Sequence, residues 1–257
     1  MRLVSLGFLL SGPASLASAQ SPLPKRLIIA GDSTAAFNGA TGPVGWGVVL
    51  QEYFDPAKVQ VVNESRGGRS SRTFYSEGLW QAALDQARPG DVVLIQFGHN
   101  DGGPVNDTFR ARGSIPGLGS ETQEIDNLIT KKHEIVRTFG WYLELFVEQS
   151  KAKGAIPIVV SPTIRNIWTN GTVEHDLGQY RNWSREVAAK ENVQYVDLSG
   201  LVAAAYERQG QKATAAFFPK DHTHTNQAGA EFNARWVVSG LKGLANDPLD
   251  GSFSAAP

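Results

Sequence analysis

Ser33 stands at the end of an apolar run, in the turn Gly31-Asp32-Ser33-Thr34, and His224 closes the tetrad Asp221-His222-Thr223-His224. A serine hydroxyl becomes a useful nucleophile only when a base takes its proton, and the base works only when a third group fixes its tautomer. His224 can be that base, and Asp221, three residues earlier on the same turn, can orient it. Attack on an ester would drive charge onto the carbonyl oxygen, so the site also needs hydrogen-bond donors aimed there. The amide of Ser33, the amide of Gly68, which no side chain crowds, and the side-chain NH2 of Asn100 are the candidate donors. Asp32 reads as the residue that holds the loop, outside the catalytic set.

These residues are far apart in the chain, so elements must gather them. Leu27 to Ala30 reads as a buried strand, and Val59 to Asn63, Asp91 to Phe97, Ala155 to Val160 and Val193 to Asp197 read as four more. Helical patterns lie between them: Trp46 to Phe54, Phe74 to Ala87, a long one over Glu124 to Lys153, one ending near Glu191, and Leu198 to Gln209. Thr225 is placed to cap a last helix through Lys242. Strand followed by helix, repeated, predicts an α/β chain with a five-stranded parallel sheet covered on both faces. In such a sheet the loops after the strands collect on one edge. That edge can therefore unite Ser33, Gly68 and Asn100 with the Asp221–His224 turn.

The blocks IIAGDSTAA, NESRGGRSSRTF, QFGHND and DHTHT, in that order, resemble the four motif blocks of the SGNH (GDSL) hydrolases. The fuller wording GHNDGGPVNDTFRARGSIPG and GWYLELF is similar to fungal rhamnogalacturonan acetylesterases. The resemblance implies a flavodoxin-like three-layer α/β/α sandwich, with Ser33, Asp221 and His224 as the triad and Ser33, Gly68 and Asn100 as the oxyanion hole. It further implies an acetylated pectic polysaccharide as substrate and no cofactor. Members of that group carry disulfides, whereas this chain has no cysteine, so its loops must be held in another way.

Other readings compete at each position. Asp221 could cap the last helix, Asn100 could stabilise its own turn, and Gly68 could simply relieve the backbone. His222 and His224 have the alternate spacing of a metal pair, but no acid or cysteine sits at ligand spacing elsewhere, so no metal is expected. An esterase for acetylated xylan or other acetyl esters, and a non-catalytic carbohydrate-binding protein, are the alternatives to pectin deacetylation. Arg110 and Arg112, in the long loop Gly102 to Gly119, could face the carboxylates of an acidic polysaccharide. Trp168, in the loop Thr163 to Leu177, could stack on a sugar. His99, His133 and His175 show no partner pattern and read as structural or exposed.

Composition limits the destination. The formal charge is −1, from 24 basic and 25 acidic residues among 257, which gives no bias toward nucleic acid or membrane surfaces. Met1-Arg2, the apolar stretch Leu3 to Leu10 and Ala17-Ser18-Ala19 have the layout of a signal peptide over residues 1–19. The expected product is a secreted, extracellular, monomeric chain, with one catalytic domain over 20–257. Sequons at Asn106, Asn170 and Asn182 are glycosylation candidates, whereas that at Asn63 ends an apolar run and reads as buried.

Overall fold

A computed structural model of the chain describes residues 23–254. The segment read as a signal peptide lies outside the described residues. In chain order, β1 (Lys25–Gly31) leads to α1 (Trp46–Val49) with a 3₁₀ turn over Leu50–Tyr53, then β2 (Val59–Asn63), α2 (Ser71–Ser76), α3 (Leu79–Asp85) and β3 (Val92–Gln96). A hairpin of β4 (Thr122–Asp126) and β5 (His133–Arg137) precedes α4 (Phe139–Ala152) and β6 (Ile156–Val160). A second small hairpin, β7 (Trp168–Thr169) and β8 (Thr172–Val173), is followed by α5 (Tyr180–Lys190), β9 (Gln194–Val196), α6 (Leu198–Gln209), α7 (Gln211–Ala215) and α8 (Gln227–Lys242).

Strands β2, β1, β3, β6 and β9 form one parallel sheet in that order. Alternate side chains point to opposite faces. Leu27, Ile29, Val92 and Leu94 join a core with α1, α6 and α8, while Ile28, Ala30, Val93 and Ile95 join one with α3, α4 and α5. Leu27, Ile28 and Ile29 are fully buried, and each such side chain contributes about 1.5–3 kcal/mol relative to exposure. The α/β/α sandwich expected from sequence is thus the architecture observed. Because the chain crosses from β1 outward to β2 and then back across to β3, a crevice opens at the carboxyl ends of β1 and β3, where such sheets bind ligands.

The pattern over Glu124 to Lys153 is not one helix. Its first part is the β4–β5 hairpin, in which Ile125 and Val136 are the buried residues and the turn is closed by Asn127, whose side chain accepts from Ile129 and Thr130 amides at 2.9 and 3.0 Å. The helix starts only after Thr138, which caps it by accepting from the Trp141 amide at 3.1 Å. The helix expected over Phe74 to Ala87 is two, because Gly78 takes a left-handed φ of 76°. Thr225 does not cap the last helix. It exchanges bonds with Val44 (Thr225 Oγ1 to Val44 O, 2.8 Å; Val44 N to Thr225 O, 2.9 Å), and Asn226 takes the cap, accepting from the Gly229 amide.

Arg72 ties the long loop and the β4–β5 hairpin to the body of the molecule. Its side chain is fully buried and its guanidinium donates to both carboxylate oxygens of Glu134 (2.6 and 2.7 Å) and to the carbonyls of Val105 (2.6 Å) and Gly113 (2.7 Å). It therefore couples α2, the loop and β5, and supplies a crosslink in a chain without cysteine.

Candidate active site

Each part of the site is placed by a strand end or by the turn before α8. Gly31 ends β1 where an added Cβ would meet Ser65 Oγ at 3.0 Å and the Gln96 carbonyl at 3.2 Å. The chain then folds over Asp32, whose Oδ1 accepts from the Thr34 amide (2.9 Å) and hydroxyl (2.7 Å). Asp32 thus holds the loop, and Ser33 is left at its apex, 8 % exposed.

After β2, Gly68 adopts φ +77°, a left-handed conformation natural to glycine. Arg112 Nη1 donates to its carbonyl at 2.9 Å. After β3, Asn100 is buried and its Nδ2 donates to Arg69 O at 2.9 Å, which ties it to the Gly68 loop and uses one of its two amide hydrogens. Among the described residues no hydrogen bond engages the amides of Ser33 or Gly68.

The Asp221–His224 turn comes from the other end of the chain. Asp221 Oδ1 accepts from the amides of Thr223 and His224, both at 2.7 Å, and Oδ2 takes the ring Nδ1–H of His224 at 2.7 Å. With Nδ1 donating, Nε2 presents a lone pair, and Ser33 Oγ lies 2.9 Å from it. Burial works against ionisation of Asp221, but the ring and amide of His224 and the amide of Thr223 together outweigh it and bring the carboxyl to about 2. An aspartate so held keeps its charge and fixes the imidazole tautomer. His222, by contrast, bonds through Nδ1 to Thr223 Oγ1 at 2.9 Å.

Ser33, Gly68, Asn100 and His224 line one cavity of about 390 Å³. Arg110 and Arg112 line it too, as their position in the long loop allowed. Trp168 does not: it is half-buried against the core, its Nε1 donating to Asn166 Oδ1 at 2.7 Å. Its place on β7, paired with the buried Val173 of β8, sets it against the core. His99, which the sequence reads as structural or exposed, also lines the cavity, and so does Arg165, which no motif singles out. Arg165 follows β6, so the signal was its place on the same sheet edge. His99 Nε2 contacts Thr163 Oγ1 at 3.1 Å, and burial lowers its imidazole to about 4, the Asp32 carboxylate opposing and Arg165 adding to the effect. Next to it, Asp101 is buried and accepts from the Ser71 amide (3.0 Å) and from the hydroxyls of Ser71 and Ser114. Burial raises its carboxyl to about 6 against those bonds.

A nucleophile, base and orienting acid at a strand-end crevice, facing free amides, is the arrangement of an acyl-transfer hydrolase. Residues 29–232 match the GDSL-like lipase/acylhydrolase family, and the chain belongs to that family. It is a carboxylic ester hydrolase. It is similar to the rhamnogalacturonan acetylesterase of Emericella nidulans, with 36% identity over 220 residues and 84% of each chain covered. The rhamnogalacturonan acetylesterase RhgT of Bacillus subtilis shares 31% over 238 residues, 86% of this chain and 91% of that one. Among solved structures, YxiM of B. subtilis superposes with a TM-score of 0.68 at 26% identity, covering 86% of this chain and 57% of the larger protein. The acetylxylan esterase Axe2 of Geobacillus stearothermophilus shares the fold, with a TM-score of 0.55 at 17% identity over 85% and 94% of the two chains.

Proposed function

We propose that this chain is a secreted serine esterase that removes acetyl groups from galacturonate residues of pectic rhamnogalacturonan. The 2.9 Å contact between Ser33 Oγ and a His224 already oriented by Asp221 carries the reading. The Ser33 proton passes to His224 Nε2 as Oγ bonds to the acetyl carbon, and the amides of Ser33 and Gly68 with the Asn100 side chain take the oxyanion. His224 returns the proton to the departing sugar oxygen, leaving acetyl-Ser33. Water then attacks as His224 takes its proton, and acetate leaves with Ser33 restored. Only an imidazole with a free lone pair at Nε2 can start this sequence, which is the tautomer that the Asp221 bond to Nδ1 selects.

Support for the polysaccharide comes from the two rhamnogalacturonan acetylesterases similar over most of the chain. Support for secretion comes from the Met1–Ala19 pattern, checked by finding Gln20 as the mature N-terminus. Of the candidate sequons, Asn170 fits a glycan best. It is exposed at the β7–β8 turn, whereas the amide of Asn106 is spent on Asp126 O and the Leu128 amide, and that of Asn182 contacts Gln179 and Arg185.

Ser33→Ala is expected to fold and to lose about 10⁴-fold or more in kcat on a chromogenic acetate. It is also expected to resist labelling by an organophosphonate; a variant that keeps its activity refutes the nucleophile. Acetate release from acetylated rhamnogalacturonan, homogalacturonan and xylan, measured in parallel, tests the substrate. Equal rates would refute the pectic assignment and leave the esterase intact.

A further inference from the structure

Four arginines pair with carboxylates: Arg69 with Glu77, Arg72 with Glu134, Arg88 with Asp91 and Arg181 with Asp197. Three others line the catalytic cavity. Among the described residues none of Arg110, Arg112 and Arg165 has an ion-pair partner, and no aspartate or glutamate lines the cavity with them. Arg165 is the most exceptional, because its Nε is buried and has no hydrogen-bond partner among the described residues. A buried donor left unmatched costs stability, and the guanidinium that carries it lines a cavity whose wall offers no carboxylate to balance its charge. Arg112 spends one nitrogen on the Gly68 carbonyl and keeps the rest of its fork free. Burial and the like charge of Arg110 both work against the charge on Arg112, so an anion in the cavity would relieve two strains together.

We infer that Arg165, with Arg112 in the lining of the same cavity, forms a carboxylate-recognition subsite that holds the acid group of the same sugar whose acetyl is presented to Ser33. The planar fork of a guanidinium pairs two N–H groups with two carboxylate oxygens, which a neutral sugar or a methyl ester does not offer. The subsite rests on the pectic reading given above and sharpens it, making the ionised uronate ring the unit recognised. Arg165 is the specific element, since Arg112 also supports the Gly68 loop.

The test compares kcat/KM on a monoacetylated galacturonic acid glycoside with that on its carboxyl methyl ester, for the intact protein and for Arg165→Gln and Arg165→Lys. A charge-assisted bond to a carboxylate is worth about 10–100-fold. The intact protein is therefore expected to prefer the free acid by that factor, less at high salt. Arg165→Gln is expected to erase most of the preference and Arg165→Lys to restore part of it. Equal rates on acid and ester by the intact protein would overturn the subsite, whatever the variants do. An undiminished preference in a folded Arg165→Gln protein would remove Arg165 from it. Neither result touches the esterase reading, which fails only if Ser33→Ala keeps its activity.

Discussion

His99 and Asp101 flank Asn100 and titrate in opposite senses across the same acidic range. The Asp101 carboxyl stands at about 6 in the folded protein against 3.8 ordinarily, so between those values the native state binds a proton that the unfolded chain has released. Stability from this group falls as pH rises through that window. His99 stands at about 4 against 6.5, so there the unfolded chain binds the proton that the native state refuses, and stability rises with pH. Each effect is on the order of 3 kcal/mol, at about 1.4 kcal/mol per unit of pKa difference. The two offset. Urea midpoints at pH 4.5 and 7 are expected to show His99→Gln losing stability, relative to the parent, on going to pH 7, and Asp101→Asn gaining it. At this scale the residue types that acyl transfer demands were legible: Ser33, Gly68, Asn100 and His224 line one cavity, and Asp221 holds His224 from behind it. Arg165 was legible only as a residue on the same sheet edge, because an arginine in a loop looks the same in sequence whether it meets solvent or a cavity.

Elements show where periodicity misleads. Ile125, Leu128 and Ile129 have helical spacing, yet they lie on a hairpin in which Leu128 and Ile129 are 42 % and 47 % exposed. A hairpin with one buried side chain per strand leaves too short a period-two signal to compete with that spacing. By contrast, β3 is buried along its whole length and could be read directly. The hairpin is kept in place by Arg72, which no pattern announces. Arg72→Met would strand the Glu134 carboxylate and two carbonyls, and a broken buried pair costs about 3–5 kcal/mol. That loss is expected in the urea midpoint, with part of it recovered when Glu134→Gln is added. If Arg72→Met proves neutral, the loop and hairpin have another anchor. The same loop carries Arg110 and Arg112, so the preference for acidic esters is expected to weaken with it.

At the level of the molecule, the sheet order β2-β1-β3-β6-β9 places the ends of β1 and β3 side by side and makes the crevice. The fold class was legible because the strands are apolar runs and the helices between them return the chain to the same sheet. Which turn would meet which was legible only as a shared edge, since contact at a few tenths of an ångström depends on packing along both faces. The hydroxyl arrives on the first strand and the imidazole just ahead of the final helix, 191 residues away. Hydrolysis is therefore a signal that only a fully threaded chain can emit. During refolding from urea, ester cleavage is expected to return with the slowest phase, after the far-ultraviolet signal of the helices, because contacts between distant segments close late. Full recovery of turnover in the dead time of mixing would contradict this, and no fragment that lacks either end of the domain is expected to turn over ester at all.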